Sequence, residues 1–392
     1  MSGAHSSLIT ALLAERKTTT MRHTPHKLLV ALAFAGHAVA AQSAGYTFSL
    51  IEAPGDGYTT ANTISAAGQV VGSGGPDGSA LSPRVWLDGV SSMLMLPPSS
   101  TGQAHGINSA GHIVGGITES GSNSQAILWT GANATNLALP QMSSSTARAI
   151  NDVGDIVGDS SFGGGLSNAT LWRNGAVIVL PGIGGEARAI NNSGQIAGVY
   201  AVTEDGPSGP TVVAYQAARW DNYVLSTLGG PNSQAYDIND AGVVVGEMFS
   251  SEGYIRPVRW DGTVATDLGT LAGEFAVAFG INNAGQIVGS GLKASIFDPA
   301  STFEQRAFLW DGPSIIDLTS LLDSDTLAAG WVLEVAHDIN DQGWVVGSAY
   351  NTLTDARRGF VLAPVPEPET RAMLLAGLGL IGAIARRRAT VV

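Results

Sequence analysis

The chain has 392 residues, 44% hydrophobic and 13% charged, with 51 glycines, no cysteine and a formal net charge of −13. Such a composition can build two or three average domains or one large all-β domain, and it excludes wholesale disorder. The lack of cysteine removes disulfides, thiolate nucleophiles and cysteine-based metal sites, while 19 Lys+Arg against 32 Asp+Glu argues against nucleic-acid binding by phosphate neutralisation.

In chain order, residues 1–20 are polar and patternless, and Met21 reads as the true start, with the preceding stretch an extension. Residues 21–44 read as a signal peptide: Arg22 and Lys27 form a positive n-region, Leu28 to Ala40 a short apolar h-region, and Ala38-Val39-Ala40 a small-x-small cleavage site, with Gln42-Ser43-Ala44 as an alternative. An unmatched strand, 46–54, comes next and ends at Pro54.

A phrase then recurs seven times between residues 63 and 348. It reads GINSAGHIVGG from Gly106, AINDVGDIVGD from Ala149, AINNSGQIAGV from Ala189, DINDAGVVVGE from Asp237, GINNAGQIVGS from Gly280 and DINDQGWVVGS from Asp338. A degenerate first copy begins at Thr63, with Ser65 in place of Asn. The repeat isoleucines are Ile64, Ile107, Ile150, Ile190, Ile238, Ile281 and Ile339. Trp86, Trp129, Trp172 and Trp260 each follow their isoleucine by 22 residues; Trp220, Trp310 and Phe360 are their counterparts in the other copies. Pairs such as Asp88-Gly89 and Asn174-Gly175 mark hairpins, and in Ile-Asn-x-x-Gly the Asn opens a turn that Gly closes with positive φ. Each unit therefore holds four strands; in the third copy they are predicted at Ala147–Asn151, Asp155–Asp159, Ala169–Arg173 and Ala176–Pro181.

Four-stranded units of this length predict a seven-bladed β-propeller spanning 45–363. The seventh unit lacks a fourth strand, and 46–54 sits in the register of one: Pro54 precedes Ile64 by ten residues, as Pro97 precedes Ile107. The N-terminal strand should thus complete the seventh blade and close the ring, whereas an open β-solenoid leaves it without a role. The units resemble the HAF repeat family of probable extracellular repeat proteins, which joins this phrase to a later Ala-Phe-Leu-Trp, here Ala307-Phe308-Leu309-Trp310. That resemblance implies no defined activity.

At the C-terminus, 364–392, Pro366-Glu367-Pro368 is followed by an uncharged, mostly apolar run, 372–385, and by Arg386-Arg387-Arg388. This order strongly resembles the PEP-CTERM sorting signal of Gram-negative bacteria. The resemblance implies export across the inner membrane, processing by an exosortase-type protease and delivery to the cell surface or beyond, usually in species that make exopolysaccharide. Fourteen residues give about 21 Å of helix, short of a bilayer core of about 30 Å, so 372–385 suits transient rather than permanent membrane association. The two ends hold eight basic and three acidic residues; 41–363 keeps 11 basic and 29 acidic, a net of −18.

The chemistry is sparse. The acid-rich turns Asp237 to Asp240 and Asp338 to Asp341 invite a calcium reading, but turn capping is favoured because no copy shows the spaced acids of a calcium loop. The tryptophans, fixed in every unit, read as packing between blades. Neither a cofactor nor a metal site is implied. Two residues before the repeat isoleucines stand Asn62, His105, Arg148, Arg188, Tyr236, Phe279 and His337. With first strands lining the axis, these form a ring around the channel suited to a small anion or a sugar. His105, Arg148, Arg188, Tyr236 and His337 are the candidate binding residues. Extra length at Tyr200–Gln216, Gly291–Arg306 and Ser320–Val335 predicts three long loops on one face, a further part of a binding surface. There is no nucleophile elbow or phosphate loop; Glu186, Glu204, Asp205, Glu247, Glu274 and Asp298 are candidate acids by location alone. The sequence is thus read as a non-enzymatic structural or adhesive component of an exopolysaccharide or biofilm matrix, with a propeller-fold polysaccharide hydrolase or lyase as the alternative.

Overall fold

The computed structural model describes residues 45–365 apart from 54, 56, 77, 79, 164, 207–208, 295–303 and 313. The signal peptide, the apolar run 372–385 and the arginine cluster lie outside the described residues.

Seven four-stranded antiparallel sheets follow one another along the chain, each with its strands in sequence order. The third blade comprises Met142–Ile150, Ile156–Phe162, Asn168–Arg173 and Ala176–Val179, in agreement with the sequence-based spans to within a few residues at most ends. The exception to sequential order is the seventh sheet. Trp331–Ile339, Val345–Asn351 and Ala356–Pro364 are joined there by Tyr46–Ile51, which pairs antiparallel with the last strand from Tyr46↔Pro364 to Ile51↔Gly359. Phe48 packs 6.4 Å from Phe360 and 6.5 Å from Trp331, so closure buries apolar surface as well as pairing backbone.

Three repeat positions explain why the same phrase makes the same blade. Each inner strand carries a β-bulge just after an alanine, at Ala61, Ala104, Ala147, Ala187, Ala235, Ala278 and Ala336, and all seven alanines are fully buried. The next strand meets this alanine with a glycine: Gly72, Gly115, Gly158, Gly198, Gly246, Gly289 or Gly347. A Cβ at any of these would stand 1.9–2.1 Å from an inner-strand carbonyl oxygen, so no larger residue fits without parting the strands. The turn glycines, by contrast, are needed for φ, which runs from +75° at Gly111 to +89° at Gly154.

The repeat asparagine holds blade to blade. Its Oδ1 accepts from backbone N–H groups of its own turn, as at Asn108 from Ala110 and His112. Its Nδ2 donates to the equivalent carbonyl of the next blade, from Asn108→Asn151 through Asn340→Ser65, at 3.0–3.2 Å. Six links result; Ser65 has no amide, so the belt is open between the first and second blades. The tryptophans also bridge blades: Nε1 of Trp86, Trp129, Trp172 and Trp220 donates to the carbonyls of Glu52, Met95, Leu137 and Pro181 at 2.8–3.0 Å. Trp129, Trp220 and Trp260 are essentially inaccessible, which leaves no stacking face for a sugar.

Two predicted loops prove to be something else. Tyr200–Gln216 belongs to a hairpin of Ile196–Gly206 with Gly209–Asp221, paired out to Gly206↔Gly209. Its β-branched and aromatic residues, Thr211-Val212-Val213 and Tyr215 among them, extend the ladder where added length had read as loop. In Ser320–Val335 the chain makes a 3-10 turn at Leu318–Leu321 and a short helix at Ser324–Ala328 capped by Asp323. Leu318 and Leu322 then join the core against Leu333 and Phe360. In the third insertion Leu292 pairs with Gln305, and the residues between are largely outside the described set.

Candidate functional site

The bulges create the site. In all seven inner strands the bulged residue is the one two before the isoleucine, which re-aims its side chain. Asn62, His105, Arg148, Arg188, Tyr236, Phe279 and His337 accordingly line one cavity of about 210 Å³ in the channel. The structure brings together every ring residue expected from the sequence. The three insertions do not line this cavity among the described residues. On the turn side, the seven isoleucines and the residues after them enclose a second hollow of about 220 Å³. Its exposed rim alternates Asp152, Asn192, Asp240, Asn283 and Asp341, each asparagine amide bridging the carboxylates on either side at 3.0–3.3 Å. The aspartates thereby cap and clip turns, as the sequence suggested.

The ring has two unlike halves. On one side the aromatic rings stand edge to face: Tyr236 lies 5.2 Å from Phe279, Phe279 6.4 Å from His337, and the Arg188 guanidinium 4.6 Å over Tyr236. The other side is polar, with Asn62 donating to the Ala104 carbonyl and Arg148 held by Asp159 at 2.8 Å. Glu186 sits between the arginines, 3.1 Å from Arg188 and 3.5 Å from Arg148. Arg188 also donates to Gln234, which donates to Glu247, and Tyr236 donates to the same carboxylate. Burial raises the Glu247 carboxyl. Burial and the nearby Glu247 push Tyr236 up to about 12, so it remains a neutral donor. Nη1 of Arg188 is buried without a hydrogen-bond partner.

Both histidines are held neutral. Burial, reinforced by Arg148, lowers His105 to about 4. Burial also lowers His337, whose Nδ1 lies 3.0 Å from the Ala61 carbonyl across the closure seam, leaving Nε2 to accept.

Two acids went unrecognised as channel groups in the sequence. Asp237 and Asp338 follow the bulge in the fifth and seventh blades, where the other copies have Thr63, Gly106, Ala149, Ala189 and Gly280, and both line the ring cavity. Each caps its own isoleucine N–H and that of the next blade: Asp237 binds Ile238 and Ile281, Asp338 binds Ile339 and Ile64, at 2.7–2.9 Å. Burial, with the like charge of Asp338, raises Asp237 to about 7, and burial raises Asp338 to about 6. Their departure from the small residues of the other copies was the available signal. Of the acids singled out by location, Glu186 and Glu247 flank the ring, Glu204 and Asp205 ride the blade-four hairpin, Glu274 lies before the sixth inner strand, and Asp298 is outside the described residues. No group of three or more His, Asp or Glu able to hold a metal occurs among the described residues.

Residues 364–389 match the model of the PEP-CTERM protein-sorting motif. The tail is a sorting signal. The PEP-CTERM motif implies export and sorting to the surface or the exterior, and it is of the kind recognised by exosortases. Among the described residues no helix is long and apolar enough to cross a membrane. No curated protein sequence matches the chain. Among solved structures, the chain is similar to the β-propeller domain of the Trilobed protease from Pyrococcus furiosus at 10% identity, covering 78% of this chain and 94% of that one, TM-score 0.47. A Mycobacterium tuberculosis puromycin-hydrolyzing peptidase matches at 12% identity, 80% and 54% coverage, TM-score 0.45. Trypanosoma rangeli sialidase matches at 9% identity, 84% and 56% coverage, TM-score 0.33.

Proposed function

We propose that the chain is a surface-sorted, non-enzymatic saccharide-binding component of an extracellular polysaccharide matrix, and that the ring of His105, Arg148, Arg188, Tyr236 and His337 is its binding site. One observation carries the reading. Seven blades keep Ala, Ile and Gly at the positions where packing demands them, yet the bulged position directed into the cavity carries five residue types, Asn, His, Arg, Tyr and Phe. The cavity offers what a sugar uses: flat aromatic edges, neutral donors and acceptors at Tyr236, His105 and His337, and the unpaired Nη1 of Arg188. At about 210 Å³ it is smaller than the ~300 Å³ of pockets for drug-sized molecules, which suits a single small unit. Glu186, Asp159 and Glu247 offset the two arginines, which favours a sugar over the anion that the ring also suggested.

The wider reading follows the same line. The units are HAF-type repeats, 21–44 directs export from a Gram-negative cytoplasm, an exosortase processes the tail, and 372–385 holds the chain in the membrane only until then. The test is a glycan array run beside a sugar-release assay: retention without turnover, lost in Arg188→Ala and Tyr236→Ala proteins that stay folded with a melting temperature lowered by only a few degrees, is expected. Retention that survives both substitutions sinks the proposed site. A polysaccharide hydrolase is the second reading, favoured by Asp237 and Asp338, whose raised carboxyls line the cavity. Reducing ends released by the protein and lost in Asp338→Asn would establish it.

A further inference from the structure

We propose that an uncharged polysaccharide chain reaches the ring along a radial groove over the first three blades and presents its terminal sugar to the channel. This rests on the saccharide reading above and adds the class of polymer and its direction of approach.

Three hollows adjoin. Beyond the ring cavity lies one of about 390 Å³, and beyond that one of about 470 Å³, both on the face formed by the connections from second to third strands. His105 lines both the ring cavity and the first of these, and Ser124 lines both outer hollows. Among the described residues, none that lines either outer hollow carries a formal charge, with His105 neutral above its lowered pKa of about 4. That is unusual in a domain with 29 acids and 11 bases between residues 41 and 363. The walls offer hydroxyls and amides instead, and Gln103 and Thr118 make no side-chain hydrogen bond among the described residues.

These features select the ligand. An amide or hydroxyl both donates and accepts, as a sugar hydroxyl does, so each wall group can pair with a neutral glycan in either sense. A uronate polymer would meet no cation among the described residues of the groove and would approach against a strongly acidic domain. The isoleucine collar stands between the ring cavity and the turn-side hollow, so a chain end rather than a threaded chain meets His105 and Tyr236.

The test is calorimetric titration of the full chain with neutral gluco- and manno-oligosaccharides of one to six units and with matched uronic-acid oligomers. Affinity is expected to rise with length for the neutral series by about tenfold or more and to stay flat for the uronates. Thr118→Trp, on an exposed strand end, should remove the gain with length and leave monosaccharide binding intact. Ser251→Trp, on the equivalent connection of the fifth blade, should change neither. Length-independent binding, tighter binding of uronates, or a Thr118→Trp protein indistinguishable from the unsubstituted one would overturn the groove while the ring reading stands. Failure of the unsubstituted protein to bind any saccharide would overturn both.

Discussion

Gly158→Ala tests whether the bulge is what builds the ring. The new Cβ would stand 1.9 Å from the Thr146 carbonyl oxygen and 3.0 Å from the Ala147 Cα, both backbone atoms of the inner strand. A carbon and an oxygen ordinarily keep about 3.2 Å or more, so the two strands must part by roughly 1 Å or surrender the bulge. The cost lies at or above the top of the usual overpacking range, about 3 kcal/mol, and for a domain of this size each kcal/mol lowers the melting temperature by about 2 °C, giving a fall of about 6 °C or more. A one-residue change of register would also turn Arg148 out of the channel and break its 2.8 Å contact with Asp159. Gly165→Ala is the control, since its Cβ would meet nothing closer than 3.5 Å. Scanning calorimetry of the two variants decides the matter. Equal melting temperatures would refute the argument that a carbonyl approach demands glycine.

Three further predictions concern the ring as a whole. Ser65→Asn should supply the missing amide of the belt, donate to the Asn108 carbonyl and raise stability by about 0.5–1.5 kcal/mol in urea titration; a loss would show that the first turn cannot adopt the common geometry. Asp237 and Asp338 have carboxyls raised to about 7 and about 6, so the folded state holds their protons more tightly than the unfolded chain. Their contribution is therefore greatest below the ordinary carboxylate pKa near 4 and is lost as pH rises through 6 and 7; the double variant Asp237→Asn/Asp338→Asn should lack this slope in denaturation curves taken from pH 4 to 8. Deleting residues 45–53 removes the strand paired with Ala356–Pro364 and should broaden thermal unfolding and lower its midpoint by more than about 10 °C, whereas an unchanged transition would deny that strand its closing role.

The architecture was legible because the repeat repeats its physics. The isoleucine and tryptophan spacings gave the blade count, and the leftover strand 46–54 gave the closure, seen as Tyr46–Ile51 on Gly359–Pro364. The ring was legible for the same reason: a fixed offset from Ile107 or Ile339 places His105 and His337 in the same cavity. The bulge itself was not read, although a constant alanine three residues before each isoleucine, opposite a constant glycine, signalled it. Insertions were misread because length alone does not distinguish loop from ladder: Thr211 to Tyr215 continue a hairpin, and Leu318 and Leu322 return to the core. The groove over the first three blades could not be read at all. Thr118 and Asn123 belong to different hollows that only the folded blades place side by side.

The most direct test of the account is a crystal structure of the protein with a bound neutral oligosaccharide. A terminal sugar is expected within hydrogen-bond reach of Arg188, Tyr236 and His337, on the ring side of the isoleucine collar. A sugar found only at the Asp152–Asp341 rim or on the blade-four hairpin, with the ring cavity empty, would contradict it.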